Sequence, residues 1–323
     1  MASIKFNDVY LNDYYTIVGP VEKNGKLKGY DSKMNDYYYE ESTFEQAQIK
    51  MQRMCIKGLI NKCNMLDSNI DLLVGGDLLN QLGSTNYSSK YFDIPLLGVY
   101  SACSTFTESL IISSMFLNSF NNIITVTSSH NKCSERQFKY PIEYGIPKLK
   151  TSSFSTTASV ASLVSHNRSN IKIESCTIGK VIDMGITNVN NMGSIMAPAS
   201  SNTIYEHLKD LKRSISYYDL ILTGDLGCNG LDILKKYTTL TYGIELKNVI
   251  DCGCNLYSDI QGVYSGGSGP VCLPLVLFNK ILLNKKYKKI LLVGTGSMHN
   301  PTMVNQHLTI PAISHVVSLE VIK

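Results

Sequence analysis

The chain has 323 residues, 44% of them hydrophobic, which is enough to bury a large core as one big domain or two medium ones and excludes a disordered chain. Its formal net charge of +4 is too mild to demand a nucleic-acid stripe, and no nucleic-acid partner is expected. The one dense basic run, 285–289, reads as a solvated helix end.

The first residues, MASIKFNDVYLNDYY, lack the apolar core of a secretory leader, so a soluble cytoplasmic chain with reduced thiols is expected. The first strong pattern is helical. Phe44, Ala47, Met51, Met54, Cys55 and Leu59 fall on one face of an amphipathic helix, which must pack on something. "DLLVGG" (71–76) follows, a brief apolar run ending in glycine, as expected of a strand buried on both faces of a mostly parallel sheet. "GVYS" (98–101) then ends a second strand, and Ala102, Cys103, Ser104 and Thr105 form the turn into a helix beginning near Thr107 and Glu108. A thiol there meets the unsatisfied N–H groups and positive dipole of a helix N-terminus, which favour thiolate. Cys103 therefore reads either as a nucleophile or as a small buried residue where strand and helix cross closely. The stretch 109–131 is long enough to span a bilayer but is interrupted by Ser113, Ser114, Asn118, Ser119, Asn121 and Asn122, so a transmembrane helix is rejected.

After this point the chain repeats itself. "DLLVGGDL" at Asp71 is echoed by "DLILTGDL" at Asp219, an offset of 148; GVYS recurs at Gly262, an offset of 164; and "NNIITVTSSH" at Asn121 resembles "KKILLVGTGS" at Lys288, an offset of 167. Three pairs in one order, with a drifting offset, point to a tandem duplication. Helices alternating with such strands imply right-handed βαβ crossovers in each half. The halves are placed at 1–165 and 166–323. The position equivalent to Cys103 is Gly267.

Other chemistries are poorly represented. Among nine cysteines only Cys252 and Cys254 are a close pair, without a second pair at finger spacing, so no zinc site is expected. The six histidines show no HExxH pairing, Gly294-Thr295-Gly296 lacks the third glycine of a dinucleotide turn, and there is no Walker A lysine.

Tandem α/β halves with a cysteine only in the first, at the strand-to-helix turn "ACST", resemble the thiolase superfamily, including the ketoacyl-ACP synthases of the initiating class. "GGDLLNQ", "TSSHN", "ERQFKYPIEYG", "NMGSIMAPA", "LTGDLG", "DCG", "GGSG" and "PTMVNQHLTIPAISHVV" more closely resemble the stage V sporulation protein AD family, over nearly the whole chain after about residue 18. The resemblance implies an α/β thiolase-like fold whose two pseudo-symmetric halves form a layered αβαβα body. It also implies a soluble subunit that binds dipicolinic acid (pyridine-2,6-dicarboxylate, usually with calcium) for the machinery that moves it into the developing spore and out on germination. Such a subunit would be peripheral on the spore inner membrane through the membrane subunits of the stage V sporulation A channel. A homodimer, paired through the first-half sheet, is expected by analogy.

Enzymes of the superfamily add to the cysteine two groups from the second half, His with His or Asn. The matching places here are Thr223-Gly224-Asp225 and Gly266-Gly267-Ser268-Gly269, with neither an imidazole nor a carboxamide. Losing two donors worth about 3 kcal/mol each would leave condensation slow or absent. Non-enzymatic binding is thus expected, and a Cys103-dependent acyltransferase of the thiolase type is the alternative. The expected ligand residues are Cys103 and Ser104 at the turn, His130 and Asn131 after the third strand, Arg136 and Tyr140 in the following loop, Gly266 and Gly267, and His315. No resident cofactor is expected, but calcium carried with the ligand could reach Asp77 and Asp225, one from each half. These two read first as helix N-caps, Arg136 as the partner of Glu135 or Glu143, Tyr140 as loop packing and His315 as a core histidine. His130 stands out, because it lies at the carboxyl end of a strand, where open α/β sheets bind ligands.

Overall fold

A computed structural model describes residues 2–138 and 149–322. The first helix is Phe44–Lys62, opened by Thr43, whose hydroxyl accepts from the Gln46 amide at 3.2 Å. Ala47, Met51, Cys55 and Leu59 are buried as expected, but Met54 stands 37% exposed. Residues four apart precess around a helix, so the buried stripe centres instead on Gln48 and Gln52. Their side chains are tied into the first half: the Gln48 amide donates to Ser128, and Gln52 donates to Thr85 and accepts from Ser84.

The "DLLVGG" run forms the Leu72–Asp77 strand, buried at all six positions and parallel to Leu96–Gly98 on one side and Asn122–Ser129 on the other. Beyond these lie Ala158–Ser165, antiparallel to Asn122–Ser129, and Tyr10–Val18, antiparallel to Ala158–Ser165. The second half repeats the plan. Leu220–Thr223 is parallel to Val249–Asp251 and Lys289–Val293, followed by antiparallel Val316–Val321 and Ile171–Ile178. The strand order of one half mirrors the other, and the two meet where Tyr10 pairs with Lys172.

Two of the three sequence echoes fall on equivalent strands, and the third does not. The first GVYS directly continues the Leu96–Gly98 strand, whereas after Val249–Asp251 the chain inserts a helix, Cys252–Leu256, and a turn, Asp259–Gln261, before reaching Gly262. What the two copies share is local: the next residue is left-handed in both, Ala102 at φ 50° and Gly266 at φ 107°. The helix after the first copy begins at Thr105, two residues earlier than expected, behind a 3₁₀ turn at Ala102–Ser104.

Three apolar clusters define the layers. Phe44–Lys62 packs on the outer face of the first half-sheet. The Met192–Leu211 and Gly227–Tyr242 helices cover the outer face of the second. Between the half-sheets lie Thr105–Phe116 and the chain from Cys272, contributing Phe106, Leu110, Leu275 and Phe278 to a core that takes side chains from both halves. This is the αβαβα layering expected of the fold class. The apolar stretch from Ser109 is thus a central helix and a buried strand, and among the described residues no helix is long and apolar enough to cross a membrane. The 285–289 run leads from the turn after a helix into the Lys289–Val293 strand; Lys285 and Lys286 are exposed, while Lys289 pairs with Glu174 at 2.7 Å and Glu320 at 3.0 Å.

One covalent link departs from expectation: Cys228 and Cys254 form a disulfide with Cα atoms 5.5 Å apart, and the remaining seven cysteines are free. Asp251 brings the two segments together, since its carboxylate accepts from the Leu226, Gly227 and Cys254 amides. A site of this kind, joining a helix start to a capped turn 26 residues on, leaves no periodicity in the sequence.

Candidate functional site

The left-handed Ala102 turns the chain sharply and presents Cys103 at the head of the central helix. Thr105 fixes the turn, its hydroxyl donating to the Ala102 carbonyl at 2.6 Å and accepting from the Ser101 amide at 3.2 Å. A non-glycine residue held at positive φ carries strain that the surroundings must maintain. Cys103 lines a cavity of about 30 Å³, bounded also by Leu78, Tyr100, Phe138, Met192, Ser268 and His299. That volume suits a single water. An outer cavity of about 270 Å³ shares Leu78, Tyr100, Phe138 and His299 with it and adds Asn80, Gln81 and Asn300 among its walls.

The second half contributes Asp225 to the cysteine. Its carboxylate is fully buried, accepts from Thr295 Oγ1 at 2.7 Å, Ser268 Oγ at 3.0 Å and the Gly269 amide at 2.8 Å, and faces the Cys103 thiol. Burial, then the charge and hydrogen bond of Asp225, push the thiol pKa well up from its ordinary value. This reverses the thiolate expected from the helix N-terminus. Magnitudes decide it: a helix terminus contributes about 0.3–1 kcal/mol, less than one pKa unit, whereas full burial shifts a group by up to roughly 3–5 units.

The other expected residues are dispersed. Ser104 faces the seam between the halves, sharing a hydrogen bond with Thr107 and accepting from the His315 amide at 3.3 Å. His130 is buried between Tyr37 and Phe44 with Nε2 against the Tyr37 carbonyl at 2.8 Å, and burial lowers its pKa to about 4. Asn131 holds the chain to Thr157 and Ser155. Arg136 pairs with Glu45 at the surface, while Glu135 accepts from the Ser155 amide at 3.2 Å. Tyr140 and Glu143 lie outside the described residues. His315 accepts from the Gly179 amide at 3.2 Å, its pKa lowered to about 4 by burial.

Gly266 and Gly267 form the floor beneath Ser268. The Gly266 carbonyl accepts from Phe154, Gly267–Ser268 pairs with Phe154–Ser155, and a Cβ at Gly266 would lie 2.7 Å from the Gly253 carbonyl group. Asp77 accepts from the Leu79 amide and from both the amide and hydroxyl of Thr85, which closes its own turn, so the two repeat-related aspartates have different surroundings. Among the described residues no three His, Cys, Asp or Glu side chains are grouped to hold a metal.

Sequence reasoning missed Tyr100, Ser268, Thr295, His299 and Asn300. Ser268 sits inside the flagged GGSG, and Asn300-Pro301 is a legible helix start whose side chain accepts from Met303. His299 had no signal: it arrives from a loop matching neither of the two places searched for an imidazole.

Mirrored α/β halves around a strand-to-helix cysteine define the class as thiolase-like. Solved structures agree on the fold: OleA of Xanthomonas campestris has a TM-score of 0.61 at 13% identity, covering 98% of this chain and 99% of that one. A form with bound lauric acid and lauroyl-CoA scores 0.60 at 12% identity with 97% and 99% coverage. A tetronic acid condensing enzyme scores 0.55 at 12% identity, with 87% and 86% covered. The chain belongs to the stage V sporulation protein AD family, whose model matches residues 2–320. It is 38% identical over 319 residues to stage V sporulation protein AD of Bacillus subtilis (strain 168), spanning 97% of this chain and 94% of that protein.

Proposed function

We propose that this sporulation-family protein binds dipicolinic acid without turning it over, as the ligand-binding subunit of the spore's dipicolinate transport machinery. The observation that carries this reading is Asp225 against Cys103. A buried thiol held protonated by a carboxylate is a poor nucleophile, and a carboxylate there would repel the enolate of a condensation. The outer cavity, near the lower end of the volumes that hold small ligands, suits a compact planar ring between Tyr100 and Phe138. Asn80, Gln81, His299 and Asn300 supply polar groups, and calcium carried with the ligand as cargo would neutralise its charge. Membrane attachment would come through partner subunits. A homodimer would form along the Leu96–Gly98 edge, where Tyr87, Tyr91 and Leu97 are exposed.

A second reading, acyl transfer through Cys103, is favoured by His299 in the same cavity and by the strained turn at Ala102. Calorimetry with dipicolinate, beside mass analysis of Cys103 after incubation with acyl-CoA, separates the two. We expect binding heat and no adduct. An acyl adduct that turns over, with no dipicolinate signal, would replace the first reading by the second.

A further inference from the structure

At the far edge of the second half-sheet, Val249–Asp251 is the terminal strand, paired only with Leu220–Thr223. The Ile221 amide donates to the Asn248 carbonyl, and the Thr223 hydroxyl reaches the Ile250 carbonyl, so Asn248 and Ile250 face the sheet. Alternation in a parallel ladder then turns the N–H and C=O of Val249 outward. This edge has a concavity on each side. One of about 770 Å³ lies against the ends of Met192–Leu211 and Gly227–Tyr242, with an apolar floor that includes Ile221 and Ile244. The other, of about 470 Å³, includes Leu220, Val249 and Ile250, and Lys247 and Asn248 line both.

The charge around the edge is one-sided. Lys209, Lys212, Arg213, Lys247 and Lys286 line the two concavities against Glu245 and Asp219. Glu245 already pairs with Lys247, and Asp219 accepts from the Lys288 and Lys289 amides. Arg213 is engaged with Tyr218 and Glu174, and Lys247 with Glu245, which leaves Lys209, Lys212 and Lys286 as the charge facing solvent. A second copy brought edge to edge would set lysines against lysines, which disfavours self-pairing here.

We propose that this edge docks an acidic, extended segment of a partner protein, which joins the sheet as an added strand. Main-chain bonds to Val249 would give affinity, and alternate acidic and apolar side chains would enter the two concavities. Lysines also suit helix C-termini and guard open edges; neither role requires a groove on both sides of the strand.

The test uses the full chain and a fluorescein-labelled decapeptide of alternating glutamate and valine. Anisotropy should report micromolar binding that weakens with salt, with no binding of the lysine–valine counterpart or of a proline-interrupted version. The surface variant Lys209→Glu with Lys212→Glu should weaken it about tenfold or more. Hydrogen exchange at the Val249 amide should slow when peptide is added. Absence of acidic-peptide binding, equal binding of all three peptides, or binding without protection of Val249 overturns the proposal. So does a result in which only phosphatidylglycerol vesicles bind, which would assign the lysines to a membrane surface.

Discussion

The carboxylate of Asp225 faces the thiol of Cys103 across the seam between the two halves, and the same carboxylate is anchored by Ser268, Gly269 and Thr295. One residue therefore sets both the protonation of the cysteine and the shape of the turn beneath it.

Replacing that charge should free the thiol. In the native protein Cys103 is expected to alkylate slowly at pH 8, because burial and the adjacent carboxylate hold its pKa well up. Asp225→Asn removes the charge while keeping an acceptor, and iodoacetamide labelling of Cys103 followed by mass spectrometry should become faster. Unchanged labelling would mean that burial alone controls the thiol.

Cys103→Ala should keep the fold, since it trades one small buried group for another, and should weaken dipicolinate binding in calorimetry. His299→Ala, opening the wall shared by the two cavities, should also weaken it, by roughly tenfold. Normal affinity in both variants would move the ligand elsewhere.

Gly266→Ala should destabilise the protein by roughly 2 kcal/mol or more, read as a lower midpoint in denaturant. Its φ of 107° disfavours any side chain, and the added carbon would meet Gly253 backbone atoms at 2.7 Å.

Glu22 gives a pH dependence. It is fully buried, accepts from Tyr257 Oη at 2.6 Å and the Thr157 amide at 3.0 Å, and burial raises its pKa to about 7. A carboxyl whose folded pKa lies above its unfolded value near 4.5 binds its proton more tightly when folded. Stability should therefore fall as pH rises from about 4.5 to about 7, by an amount on the order of 3 kcal/mol at most. Glu22→Gln keeps the acceptor oxygen and should flatten that limb in denaturant titrations between pH 5 and 8. A parallel pH profile in both proteins would show that the slope belongs to other groups.

Alkylation of the unfolded, unreduced protein should modify seven cysteines, and all nine after reduction. Loss of the Cys228–Cys254 link, closing 26 residues, should cost about 3.5 kcal/mol in the chain-entropy picture.

The sequence by itself determined the elements whose cause is local. Apolar runs such as Leu72–Asp77, the Ala47–Met51–Cys55–Leu59 stripe and two of the three repeat echoes were enough for paired α/β halves, because helix and strand periods are written in neighbouring residues. Whether Cys103 is thiolate was legible only in part: its helix terminus was visible in the sequence, but its charged neighbour lies 122 positions away. Tertiary structure alone decided that Asp225 meets Cys103 while Asp77 closes its own turn, that His299 enters the cavity while His130 packs between Tyr37 and Phe44, and that Cys228 reaches Cys254. Burial and electrostatics depend on which distant segments the fold brings within a few ångströms, and no spacing along the chain encodes that.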